Sequence, residues 1–203
     1  MITPLDRVRE LNYDHHRRMS EMHREHILQG TVEGISRMDD LSYRALLNSI
    51  PRDRESILEL GSASGGQWPL LREWLLSNGR IMGIDLYEPL VEQAREKGLV
   101  IHHGFVERMP FYSGAFDLVC SRHVMEHLGD LDRGMHEILR VTRSGGYIAH
   151  VTPNMAHDDE PAHLNHLDEE GWKSKWQSMG LLILHTQRHP FHGGEVHIVG
   201  QKP

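Results

Sequence analysis

The chain of 203 residues has little of what disulfide-stapled, membrane-spanning or nucleic-acid-binding proteins need. Its single cysteine, Cys120, excludes an internal disulfide framework. Its apolar runs are far shorter than the ~20 residues that cross a bilayer. Asp6, Arg7 and Arg9 leave no signal-peptide core near the start. The net charge of −7 and the lack of a long basic run argue against nucleic acid as a partner. We therefore expect a cytoplasmic protein without membrane contact.

The pattern of apolar residues predicts an α/β fold. Predicted strands cover 56–60, 80–85, 100–103, 116–121, 147–152, 181–189 and 195–201, and predicted helices cover 66–76, 89–97, 131–141 and 168–178. Such alternation is typical of a parallel sheet with helices on both faces. Residues 1–50 are predicted to form an N-terminal helical extension, and residues 51–203 the main domain.

A loop of small residues follows the first predicted strand, in the stretch from Ser56 to Gly66. Such a loop lets a ligand approach backbone N–H groups at a helix N-terminus. Asp85 ends the next strand, 24 residues after Gly61 (85 minus 61), where an acid can accept ribose hydroxyls. The Gly61-x-Ala63-x-x-Gly66 spacing also loosely fits a dinucleotide loop. These motifs alone leave an adenosyl cofactor and a nicotinamide dinucleotide open.

Four later segments narrow the choice: 104–111, 115–121, 126–128 and 137–146. Their order and spacing resemble the class I S-adenosylmethionine-dependent methyltransferases, in particular the small-molecule and quinone-biosynthesis type. The resemblance implies a Rossmann-like, seven-stranded, mostly parallel sheet with an antiparallel last strand. The predicted C-terminal hairpin fits that strand, whereas a dehydrogenase would need a second half or a substrate domain.

The resemblance also implies a binding role for ten residues toward S-adenosylmethionine. Glu59 would face the methionine ammonium, Asp85 would hold the ribose hydroxyls, and Ser121 would lie beside the sulfonium. The remaining contacts fall to Gly61, Ser62, Ala63 and Gly65 around the methionine and ribose, and to Leu86, Phe105 and Val106 around the adenine. Phe105 replaces the usual Asp, so we expect apolar or stacked recognition of the adenine.

A second constellation, His123-Val124-Met125-Glu126-His127, directly follows the fourth predicted strand. In a helix, His123, Glu126 and His127 would share one face, and His163 in a later loop would meet them at the same sheet edge. The set is similar to that of the metal-dependent small-RNA 2′-O-methyltransferases, with His123 replacing a Glu. Its nitrogen-rich ligands suit Fe, Mn, Co or Zn better than Mg. In the alternative, a metal-free site, Glu126 and His127 orient the helix or contact substrate.

We predict that His127 and His163 carry the chemistry, and that the acceptor is a small polar metabolite methylated on oxygen or nitrogen. The alternatives are a metal-dependent RNA 2′-O-methyltransferase, a non-catalytic adenosyl-cofactor-binding protein and a nicotinamide oxidoreductase. The inverted zinc-protease pattern His-x-x-Glu-His also matches residues 123–127. We disfavour proteolysis because that pattern lies inside a methyltransferase motif series.

Overall fold

The computed structural model describes residues 10, 11, 13, 14, 17, 18, 41–154, 160–190 and 194–203. Most of the predicted N-terminal extension, including His15, His16, His23 and His26, lies outside the described residues. Helix α1 covers 41–47. The other helices are α2 (Trp68–Leu71), α3 (Glu88–Glu96), α4 (Leu131–Val141) and α5 (Glu169–Ser178). The strands are β1 (Arg54–Leu60), β2 (Leu75–Asp85), β3 (Ile101–His103), β4 (Phe116–Arg122), β5 (Thr142–Pro153), β6 (Leu182–His189) and β7 (Glu195–Gln201).

The seven strands form one sheet in the order β3-β2-β1-β4-β5-β7-β6. Strands β1 to β5 pair in parallel, and β7 runs antiparallel to both β5 and β6. The predicted α/β architecture with an antiparallel last strand is thus confirmed. The chain order reverses between β1 and β4, and in such sheets ligands bind outside the carboxyl ends of the strands at that point.

Helices cover both faces of the sheet, and each face has its own apolar core. In one core, side chains of α1, α2 and α3, such as Leu46, Leu71 and Val91, pack against one face of the sheet. The other packs α4 and α5 against the opposite face through Ile138 and Trp176. Because both faces of the sheet are covered, the central strands are almost continuously buried. The Ile57–Leu60 segment of β1, for example, is buried throughout.

The predicted helix 66–76 is wrong in length. Helix α2 ends at Leu71, a 3₁₀ turn covers Arg72–Trp74, and β2 already begins at Leu75. Leu75 takes extended backbone angles and pairs with Arg54 of β1. Strand pairing with β1 therefore overrides the helical pattern of the sequence at this point.

Candidate active site

The loop after β1 turns sharply at Gly61, which has a φ of +64° and donates its N–H to the Ile84 carbonyl at 2.9 Å. A Cβ atom here would lie 2.4 Å from Val124 Cγ2, from the segment after β4. Glycine is therefore required twice, for the left-handed backbone and for the close approach. The tight turn brings the β1 loop against the β4 loop.

Asp85 at the end of β2 holds this loop in place. Its two carboxylate oxygens accept the backbone N–H groups of Ala63 at 2.8 Å and Tyr87 at 2.7 Å. Ala63 stands at a φ of +47°, a conformation that costs a residue with a Cβ roughly 1–2 kcal/mol. The Ala in place of glycine is thus a strained position that the Asp85 hydrogen bond supports.

Glu59 lies at the carboxyl end of β1 and is buried, with its Oε2 accepting the Trp68 indole N–H at 2.9 Å. Burial raises the pKa of Glu59 from 4.5 to about 8, and the hydrogen bond from Trp68 to its carboxyl offsets only part of this effect. A cationic group beside Glu59 would restore its ionised form. This environment suits the predicted contact with an ammonium group.

A cavity of about 320 Å³ opens at the carboxyl edge of the sheet, where the loops after β1, β2, β3 and β4 meet. Seven of the predicted site residues line it: Gly61, Asp85, Leu86, Phe105, Val106, His123 and His127. The other predicted residues, Glu59, Ser62, Ala63, Gly65, Ser121, Glu126 and His163, are not among its lining residues. Ser62 instead donates its hydroxyl to the Glu59 carbonyl at 2.8 Å. The sequence did not indicate the part of the wall that the segment 128–130 and Arg133 provide.

The segment after β4 does not form the α-helix that the shared-face argument requires. His123 has a φ of +53°, and only a 3₁₀ turn follows, over Met125–His127. His123 Nδ1 nevertheless lies 3.3 Å from Glu126 Oε1, and His127 Nε2 lies 3.9 Å from the same oxygen. The predicted neighbours therefore meet through a turn rather than along a helix.

Glu126, His127 and His163 come together, with one ligand atom from each within 4.8 Å of the others. Neither oxygen of the fully buried Glu126 carboxylate has a hydrogen-bond partner among the described residues. His127 Nδ1 lies 2.9 Å from the Ala162 carbonyl, which requires the N–H on that nitrogen and leaves Nε2 3.9 Å from Glu126 Oε1. His123, the fourth predicted metal ligand, is outside this group.

The loop that carries His163 is fastened to the 3₁₀ turn. The Glu126 carbonyl accepts the N–H groups of Leu164 at 2.7 Å and Asn165 at 3.1 Å. The Asn165 side-chain amide donates to the carbonyls of Met125 at 3.0 Å and Leu128 at 2.8 Å. These bonds hold the His163 ring near the His127 ring, with 4.7 Å between the two ring centroids.

The charged groups beside the cavity shift one another's pKa values. Burial acts to lower the pKa of His123, but its contacts with Glu126 and Glu195 outweigh burial and raise the pKa to about 9. Burial acts to raise the pKa values of Glu126 and Glu195, yet contact with His123 holds both below their usual range. Glu195 was not predicted as a site residue, because nothing in the sequence marks the first residue of β7 as reaching this edge.

Comparison with known proteins identifies the fold family. A family model described as a methyltransferase domain matches residues 58–150, which include the glycine loop, Asp85 and the 3₁₀ turn. In this segment the chain is similar to the methyltransferase domain family.

Individual relatives match the central part of this chain. The malonyl-[acyl-carrier protein] O-methyltransferase of Salmonella typhimurium is 30% identical over 103 residues, covering 50% of this chain and 40% of the relative. The ubiquinone/menaquinone biosynthesis C-methyltransferase UbiE of Stenotrophomonas maltophilia is 29% identical over 121 residues, covering 56% of this chain and 47% of the relative. The chain thus spans less than half the length of these two curated relatives.

A solved SAM-dependent methyltransferase from Aquifex aeolicus has the same fold as this chain. The two superpose with a TM-score of 0.65 at 16% identity, over 79% of this chain and 89% of the other. Within the part of the chain that the structure describes, no helix has the length and apolar character of a membrane span.

Proposed function

We propose that this chain transfers a methyl group from S-adenosylmethionine to an oxygen or nitrogen atom of a small polar acceptor. One observation carries the proposal: the cavity at the switch point of the sheet has Asp85 on one wall and His127 on another. The first suits ribose hydroxyls, and the second is a basic group beside the predicted methyl position.

The residues around the cavity fit the proposed cofactor. Leu86, Phe105 and Val106 provide an apolar surface suited to a flat ring, and Asp85 provides an acceptor next to it. The buried Glu59 offers a carboxyl that a neighbouring cation would ionise. When bound, the cofactor supplies an electrophilic methyl group on a good leaving group.

The chain's own residues supply alignment and proton transfer. His127 Nδ1 is held by the Ala162 carbonyl, so Nε2 is the nitrogen that would accept a proton from an acceptor hydroxyl or amine. His163 lies next to it and would assist. The named relatives support a small-molecule acceptor, because one is named for O-methylation of a malonyl group on acyl-carrier protein and the other for C-methylation in ubiquinone/menaquinone biosynthesis.

Substitution of His127 tests this role. We expect His127→Ala to lower turnover by orders of magnitude while the cofactor Kd stays nearly unchanged, with methyl transfer measured on a panel of metabolites and a small RNA. His166→Ala, an exposed histidine of the same loop as His163, is the matched control and should keep activity. Equal losses of turnover and cofactor affinity in His127→Ala would indicate a structural role. Cofactor binding without transfer to any acceptor would favour a non-catalytic binding protein.

The grouping of the Glu126 carboxylate with His127 and His163 supports a second, finer proposal, that a divalent metal assists the reaction. Two imidazoles and one carboxylate suit Zn, Fe, Mn or Co better than Mg. In this proposal His127 Nε2 binds the metal instead of accepting the proton, and the metal would activate an acceptor hydroxyl by lowering its pKa. Elemental analysis of the purified protein tests the proposal: Glu126→Gln and His163→Ala should lose the metal, and His166→Ala should keep it. Full activity of metal-free protein would contradict it.

A further inference from the structure

Glu195 is a fully buried carboxylate at the edge of the sheet where the site lies. It is the first residue of β7, which runs antiparallel to β5, so it pairs with Pro153 at the end of β5. A buried charge is costly unless it is paired and hydrogen-bonded. The partners of Glu195 therefore indicate its role.

The two oxygens of Glu195 have different partners. Oε1 lies 2.9 Å from His123 Nε2, across 72 residues of sequence, and 4.0 Å from Arg122 Nη1. Oε2 accepts the Ser42 hydroxyl and lies 3.2 Å from His197 Nε2. One side of the carboxylate thus faces the cavity wall, and the other faces α1 and the interior of the sheet.

His123 is held from both sides. While Nε2 contacts Glu195, Nδ1 lies 3.3 Å from Glu126 Oε1. Both ring nitrogens therefore face carboxylate oxygens. The residue also has a left-handed backbone, which persists only where the surroundings enforce it. Its backbone N–H donates to the Val151 carbonyl at 2.9 Å.

We propose that Glu195 is a positioning residue for methyl transfer: it fixes the His123 ring, which in turn orients the Glu126 carboxylate beside His127. The inference rests on the proposed function. It assigns to the C-terminal hairpin a part in the site that the central motifs alone do not provide. A residue that only anchored β7 to α1 would not need the contact with His123.

A double-mutant cycle separates the two roles. We expect Glu195→Gln to lower kcat roughly 10–100-fold, the range seen for residues that orient catalytic ligands. The cofactor Kd should stay within about threefold, because the cofactor-binding walls are untouched. In a His123→Asn background the same change should have little further effect on kcat, since the two residues act through one contact. The control is Ser42→Ala, which removes a partner of Glu195 on the side away from His123 and should leave kcat within about threefold.

Additive losses in the cycle, or an unchanged kcat in folded Glu195→Gln, would overturn the proposal. If Glu195→Gln does not fold, histidine-selective ¹⁵N NMR of the wild type carries the test. We expect a hydrogen-bonded N–H on His123 Nε2, the nitrogen that faces Glu195, and a ring without an N–H on Nε2 would overturn the contact. This spectrum needs no acceptor. The Nε2–H signal without transfer to any acceptor would therefore mark failure of the proposed function, and the positioning role would fall with it.

Discussion

Cofactor binding is expected to release a proton from Glu59. Its pKa of about 8 leaves the carboxyl mostly protonated at pH 7, in a ratio of about 10 to 1, since one pKa unit is a factor of ten. The ammonium group of S-adenosylmethionine favours the ionised carboxylate, so binding should shift this equilibrium. The expected release at pH 7 is about 0.9 proton per site.

Because cofactor binding and the ionisation of Glu59 depend on each other, the cofactor affinity should depend on pH. Below the pKa of Glu59, the cofactor Kd should fall roughly tenfold for each unit that the pH rises, because less free energy is spent on ionising the carboxyl. The range from pH 6 to 7 is the most informative. The contribution of Glu59 to folding stability has the opposite sign: because its pKa is raised, this contribution is full below pH 4.5 and is lost as the pH rises through 8.

Isothermal titration calorimetry in two buffers with different ionisation enthalpies measures the proton release. Glu59→Gln keeps the size and the acceptor for Trp68 but has no proton to release, so its binding should be nearly independent of pH. 5′-Methylthioadenosine, which lacks the amino-acid part, is the control ligand and should release no proton on wild-type protein. Equal release by wild type and Glu59→Gln, or none by wild type, would refute the reasoning.

Two further predictions concern the turn and the core. Gly61→Ala should weaken both folding and cofactor binding, because its Cβ would lie 2.4 Å from Val124 Cγ2. The control is Gly98→Ala, which is also at positive φ but has open space around it. In urea denaturation it should lose only the ~1 kcal/mol of folding stability that the backbone strain costs. His150 is buried, and burial lowers its pKa to about 3. The contribution of His150 to folding stability should therefore be full above pH 6.5 and be lost as the pH falls toward 3. His150→Gln should flatten this loss in urea midpoints measured from pH 7 to 4.5, and an unchanged pH slope would contradict the assignment.

Local patterns were sufficient to predict the glycine loop after β1 and the acid at the end of β2. The glycine loop and Asp85 are each set by a strand and the turn directly after it, and their partners lie in neighbouring strands. The predicted antiparallel hairpin at the C-terminus is also confirmed. Short-range constraints of this kind leave a signature in residue type and spacing.

The sequence by itself determined the order of strands and helices, the sharp turn at Gly61 and the acid that ends β2, because sterics and hydrophobic periodicity act within a few residues. Only the tertiary structure decided that His123 breaks the helical pattern and that Glu195 reaches it across 72 residues. It also brought His163 to Glu126 and His127. These contacts arise from sheet pairing and loop hydrogen bonds, which join segments whose sequences carry no mark of each other.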